Sequence, residues 1–220
     1  MMGNVGWQGS LRLALDHRGT PAENSPDHPT FPFEVRAMPW ERLDIGGKPA
    51  DVFEPSDGKP RFGVLHLHGH GLRTLADNPT FTRWFEEFRL VCICPHGQRS
   101  WWADRVCMEF DAMRTPERHL LDFVIPYFEQ RWGLGTRAVA VQGVSMGGQA
   151  ALRLGFKYAR RFPVVGAIAP ALDYHEWYGR GLPLDDMYDS KEQCRQDTAI
   201  LQIVPHDFPP HVFFCVDPDD

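Results

Sequence analysis

At 220 residues with 43% apolar side chains, the chain can bury one substantial core, so a single domain is the default. A net charge of −6 argues against nucleic acid as the main partner, and no apolar run reaches the length of a membrane span. Five cysteines, an odd and modest number, fit a reducing, cytoplasmic compartment better than a disulfide scaffold, and the N-terminus lacks the apolar core of a secretory signal.

Residues 1–33 read as a flexible tail, with Pro21, Pro26, Pro29 and Pro32 among Asp, Asn, Ser and Thr in Thr20–Pro32. Phe33–Ile45 and Pro49–Glu54 flank Gly46-Gly47 and read as a β-hairpin ahead of the main sheet. Pro55–Pro60 is a turn cluster. Arg61–His68 is a buried strand through Val64, Leu65 and Leu67, and it runs into Gly69-His70-Gly71, where the backbone must approach something closely. His66, His68 and His70 alternate along it. Alternate residues share a strand face, which raises a rival reading as a zinc hydrolase. That reading lacks a helical H-E-x-x-H and an Asp after His68, so no metal or other cofactor is expected. Thr82–Phe88 is a short amphipathic helix. Leu90–Pro95 is a second buried strand, in which Cys92 and Cys94 read as structural thiols. His96–Asp111 is a loop of bulky groups. Trp101 and Trp102 within it are candidates for a substrate pocket, against the plainer reading of packed aromatics. Thr115-Pro116 opens a helix over Glu117–Trp132 that ends at Gly133 and that Pro126 should kink.

Arg137–Phe162 organises the rest. Ala138–Gln142 is a short apolar strand. Gln149–Phe162 is a helix with Ala151, Leu152, Gly155, Phe156 and Ala159 on one face and Arg153, Lys157, Arg160 and Arg161 mostly opposite. Between them lies Gly143-Val144-Ser145-Met146-Gly147-Gly148, a strand–turn–helix with serine at the apex and glycine two residues to either side. A serine hydroxyl attacks well only if it is exposed, activated and close to an oxyanion site. So sharp a turn brings positions 143 and 147 against the serine and each other, and glycine removes the Cβ atoms that would clash. The Met146 N–H, at a helix N-terminus, would point toward a developing oxyanion.

Beyond the helix, Val164–Ala169 is another parallel-type strand. Ala171–Asp189 is an excursion that could cap a pocket, and the acids around Asp186 in it read as a solvated face. Ser190–Ile203 is a helix, and Val212–Val216 is a last strand before Asp217-Pro218-Asp219-Asp220. The expected class is therefore α/β, a mainly parallel sheet with helices on both faces and an N-terminal β-hairpin. Ser145, the His68–Gly71 loop and the final aspartates all fall at carboxyl ends of strands, where such folds place their sites.

Three segments carry a resemblance: Leu67-His68-Gly69-His70-Gly71, Phe123-Val124-Ile125-Pro126-Tyr127, and Gly143 to Gly148 followed by an Ala-Leu-Arg helix and an Arg-Phe-Pro end. Over roughly residues 40–220 the chain resembles the α/β-hydrolase-fold esterase family that includes esterase D, S-formylglutathione hydrolase and feruloyl or acetyl-xylan esterases. The resemblance implies a second oxyanion N–H from His70 or Gly71 and a triad of serine, acid and histidine in that order. The family's strand-Gly-x-x-Asp form, laid on Phe213–Asp220, puts Asp217 at the glycine and Asp220 at the acid. Asp220 is the first candidate and Asp217 the second. The histidine should follow, yet all ten histidines precede the acid. The expectation is that domain 34–220 is the N-terminal portion of a longer esterase, its last strand, last helix and catalytic histidine beyond residue 220. The implied activity is cleavage of a small-molecule carboxylester or thioester through an acyl-enzyme on Ser145. A non-catalytic binding protein of the same fold is the alternative. Neither nucleic acid nor membrane is an expected partner, and a homo-oligomer stays open.

Overall fold

The computed structural model describes residues 40–217. The expected tail and Asp220 lie outside the described residues. Within them is a seven-stranded sheet in the order β1-β2-β4-β3-β5-β6-β7. β1 (Trp40–Ile45) and β2 (Lys48–Phe53) form the expected hairpin, with Ile45 paired to Lys48. Its turn needs positive φ at both central residues, and Gly46 (64°) and Gly47 (84°) supply it. β2 joins β4 (Leu90–Pro95) antiparallel. From there the sheet is parallel, through β3 (Phe62–Leu67), β5 (Val139–Val144), β6 (Val164–Ile168) and β7 (His211–Cys215).

Side chains alternate across this sheet, and the two faces bury separate clusters. Val64, Cys92 and Cys94 pack with Phe53, Leu75 and Phe85, the last from α1 (Pro79–Glu87). Leu65, Leu67, Ile93, Val141 and Val165 pack against helices on the opposite face. α1 starts where Asn78 accepts hydrogen bonds from the N–H groups of Thr80 and Phe81, with Pro79 at the first helical position. Among the described residues no helix is long and apolar enough to cross a membrane.

The helix around Pro126 is not simply kinked. α2 (Pro116–His119) passes through a π-helical stretch, Leu120–Val124, into α3 (Ile125–Trp132). Proline has no N–H to donate and its ring crowds the carbonyl four residues back. Ile125 N–H bonds to Leu120 O, which widens the turn before the ring. α3 ends on Gly133 in the left-handed conformation, as expected.

α4 (Met146–Lys157) stops sooner than its sequence pattern suggests, because Tyr158 leaves helical geometry. One residue on its expected outer face is misplaced by the pattern: Arg153 is wholly buried. Its guanidinium meets Glu117 at 2.7 Å and Asp197 at 2.7 Å. Glu117, also wholly buried, accepts further from Lys157 Nζ at 2.6 Å and the Tyr158 hydroxyl at 2.7 Å. Burial works against the charge on Arg153, but Asp197 and Glu117 outweigh it and keep the group ionised. The segment expected as one helix over Ser190–Ile203 is two shorter pieces, α6 (Lys191–Gln196) and a 3-10 turn, Ala199–Gln202. α5 (Leu184–Met187) lies in the excursion before them.

Candidate active site

Ser145 sits between the end of β5 and the start of α4 with φ 52° and ψ −115°, a conformation that non-glycine residues rarely adopt. Its N–H is held by Ile168 O at 2.9 Å, and its carbonyl accepts from Gln149 N at 3.0 Å and Ala171 N at 3.2 Å. The flanking glycines are steric requirements. A Cβ on Gly143 would lie 2.3 Å from Gly147 O, and one on Gly147 would lie 1.9 Å from Leu67 O. Gly148 is close to Ile168 O, at 3.1 Å from an added Cβ. The turn is thus wedged between β3 and β6, and Ser145 is half-buried at its apex.

The loop after β3 lies directly opposite. A Cβ on Gly69 would sit 3.1 Å from Val144 O and 3.3 Å from Ser145 Cβ. Leu72 N–H closes a turn onto Gly69 O at 3.0 Å, with Leu72 at φ 60°. Among the described residues the main-chain N–H groups of His70 and Gly71 form no hydrogen bond. Met146 N–H belongs to the first turn of α4, whose donors have no partner within the helix.

Two of the three alternating histidines are committed to separate hydrogen bonds. His66 Nδ1 takes the Gln142 side-chain amide at 2.8 Å. His68 Nδ1 donates to Gly69 O at 2.9 Å while its Nε2 accepts from Gly97 N–H at 3.0 Å. His70 is half-buried, and its Nε2 has no hydrogen-bond partner among the described residues. Burial pulls His66 down to about 3 and His68 to about 4, so both rings stay neutral near pH 7. Burial and the Arg99 charge also lower His70. Among the described residues no three side chains of His, Cys, Asp or Glu are arranged to hold a metal ion.

Trp101 and Trp102, expected at a substrate pocket, expose no surface to solvent. Trp101 stacks on Tyr174 with centroids 5.0 Å apart and meets Trp177 edge-on at 5.2 Å, so the 171–189 excursion covers it. Both tryptophans adopt positive φ, 55° and 54°. A groove of about 240 Å³ between the 96–111 loop and that excursion is lined by Met108, Glu109, Leu182 and Asp185, and Ser145 is not part of its wall. No histidine among the described residues is hydrogen-bonded to Ser145. Asp217 follows β7, at the same carboxyl end of the parallel strands as Ser145. Sequence reading missed Gln149 and Arg153 beneath the tryptophans; their spacing of four on the helix after the serine was the available signal.

Residues 65–207 match the family model described as "Putative esterase". The chain belongs to that family. Solved α/β-hydrolase structures share the fold of this esterase-family protein. FphF, a fluorophosphonate-binding serine hydrolase of Staphylococcus aureus, superposes with a TM-score of 0.59 at 17% identity, over 76% of this chain and 72% of its own. An S-formylglutathione hydrolase from Agrobacterium tumefaciens gives 0.60 at 15%, over 79% and 77%. A ferulic acid esterase gives 0.57 at 15%, over 74% and 69%. No curated protein sequence matches this one.

Proposed function

We propose that this esterase-family protein is a serine hydrolase that cleaves a carboxylester or thioester through an acyl-enzyme on Ser145. The observation that carries the reading is the strained geometry at Ser145, held by glycines that the close approach of β3 makes obligatory. Ser145 Oγ adds to the substrate carbonyl and gives up its proton to a histidine outside the described residues. Asp220, or Asp217 in second place, orients that histidine. The carbonyl oxygen becomes an oxyanion held by Met146 N–H and by His70 or Gly71 N–H. The tetrahedral adduct expels the alcohol or thiol, which takes the proton. Water then adds to the acyl group and restores the serine, releasing the acid.

The names of the structural neighbours supply the first substrates to try, a glutathione thioester and a ferulic acid ester. The decisive experiment compares p-nitrophenyl acetate hydrolysis by the full-length protein, read on past residue 220, and by its Ser145→Ala variant, with intact mass recorded for the acetyl adduct. The expected result is a loss of at least about 10³-fold in Ser145→Ala, an adduct only when Ser145 is present, and no effect of EDTA. Equal rates in the two proteins would overturn the reading and favour a binding role.

A further inference from the structure

α4 carries two polar side chains that reach one neighbouring loop. Gln149 and Arg153 stand four residues apart, on the same helical face, and both are wholly buried. Gln149 Nε2 donates to Trp101 O at 2.9 Å, and Arg153 Nη2 donates to Trp102 O at 2.8 Å. These carbonyls belong to the two consecutive tryptophans with positive φ. Bulky residues keep that conformation only where the surroundings over-determine it. Here each carbonyl has its own donor from the helix that begins at the nucleophile.

Trp102 in turn fixes the loop after β3. Its Nε1 donates to His68 O at 3.1 Å, and its ring lies 4.9 Å from the His68 imidazole. The same ring covers Gly97, where an added Cβ would meet it at 2.4 Å, and Gly97 N–H holds His68 Nε2. Trp101 flanks His70, with ring centroids 6.4 Å apart. A continuous set of contacts therefore runs from α4 through the tryptophans to the residues just before the His70 and Gly71 N–H groups.

We propose that Gln149 and Arg153 are positioning residues for the oxyanion donors: they hold Trp101 and Trp102, and Trp102 holds the His68–His70 segment opposite Ser145. The inference rests on the reading of Ser145 as an acyl-transfer nucleophile. It supplies a reason for the arrangement. The two oxyanion donors come from segments far apart in sequence, and they must be held to within about half an ångström to act together. α4 carries one donor, Met146, and through Gln149 and Arg153 it also locates the other.

Gln149 is the cleaner probe, because Arg153 also joins the ion network of Glu117 and Asp197. Gln149→Met keeps the length and removes the donor. Trp102→Phe removes the indole N–H that meets His68 O, and serves as the second variant should Gln149→Met fail to fold. Each is compared with the parent and Ser145→Ala for p-nitrophenyl acetate kinetics, for inhibition by an alkyl trifluoromethyl ketone whose adduct mimics the tetrahedral intermediate, and for melting temperature. The expected result is a kcat lower by roughly 10- to 100-fold, a KM within about threefold, and ketone affinity weakened in parallel with kcat. A purely structural role would move melting temperature without that matched loss. An active, Ser145-dependent parent whose variants keep kcat and ketone affinity would overturn the positioning role and leave the esterase reading intact. A parent no faster than Ser145→Ala would overturn the esterase reading, and this inference with it.

Discussion

Replacing Gly147 with alanine tests the site by adding one methyl group. The new Cβ would be placed 1.9 Å from Leu67 O, 2.4 Å from Leu67 C and 2.6 Å from His68 O, all backbone atoms of the central strand and the loop it feeds. Neither side can yield by turning a side chain. To reach even 3.0 Å, α4 and β3 must part by about 1.1 Å. Overpacking of this kind costs about 1–3 kcal/mol, and an obstacle of backbone places it near 3. For a domain of this size that lowers the melting temperature by roughly 6–12 °C. With Ser145 as the proposed nucleophile, a displacement of about 1 Å from the proposed oxyanion donors should also lower kcat/KM about 100-fold. Gly135→Ala is the matched control: an added Cβ meets nothing within 4 Å there, and its melting temperature should stay within about 2 °C of the parent. Thermal unfolding and p-nitrophenyl acetate kinetics on the same preparations decide the matter. A Gly147→Ala protein with parental melting temperature and kcat/KM would refute the claim that this approach dictates glycine.

Glu117→Leu should strand the buried Arg153 beside Asp197 alone, costing about 3–5 kcal/mol and lowering the melting temperature by roughly 10 °C, as thermal unfolding will report. Acid should weaken the fold early. His66, His68 and His119 are held by burial at about 3, 4 and 4, below the ordinary 6.5, so the unfolded chain takes up their protons first. Stability should be level above pH 6.5 and fall as pH drops toward 4, with His68 alone contributing about 3 kcal/mol; a urea midpoint equal at pH 7.5 and 4.5 would contradict this. Among the cysteines only Cys215 is exposed, so native protein should react with one equivalent of a thiol reagent quickly and with the other four only on unfolding.

What could be read from the sequence divides by the range of the interaction. Leu90–Pro95 has the bounds its apolar run suggests, and Gly46-Gly47 makes the expected hairpin turn, because both depend on neighbours in the chain. The strand–turn–helix around Ser145 was legible for the same reason: glycine spacing, strand and helix are all local. Arg153 was not. Helical periodicity puts it opposite the apolar residues, and its burial is explained by partners far away in sequence: Glu117, Asp197 and Trp102 O, at 36, 44 and 51 residues. The tryptophans show the same limit. Their composition suggested a pocket, while their positive φ and their cover by Tyr174 and Trp177 depend on α4 and on the later excursion. Pro126 was visible as a break, but the π-helical turn that accommodates it depends on how the whole helix packs.

The wedge of Gly147 against Leu67 also has a temporal consequence. The serine's geometry is secured by a contact across eighty positions of sequence, so it cannot exist in a nascent or partly folded chain whose β5 has not yet docked on β3. Contacts of such separation close late, after local helices and hairpins have formed. Until then the positive-φ geometry at Ser145 has no close strand to hold it, and the proposed activation of its hydroxyl should appear only with the finished sheet. Reactivity would therefore report on completed folding, and an acylating probe should label refolding protein with a lag set by assembly of the central strands.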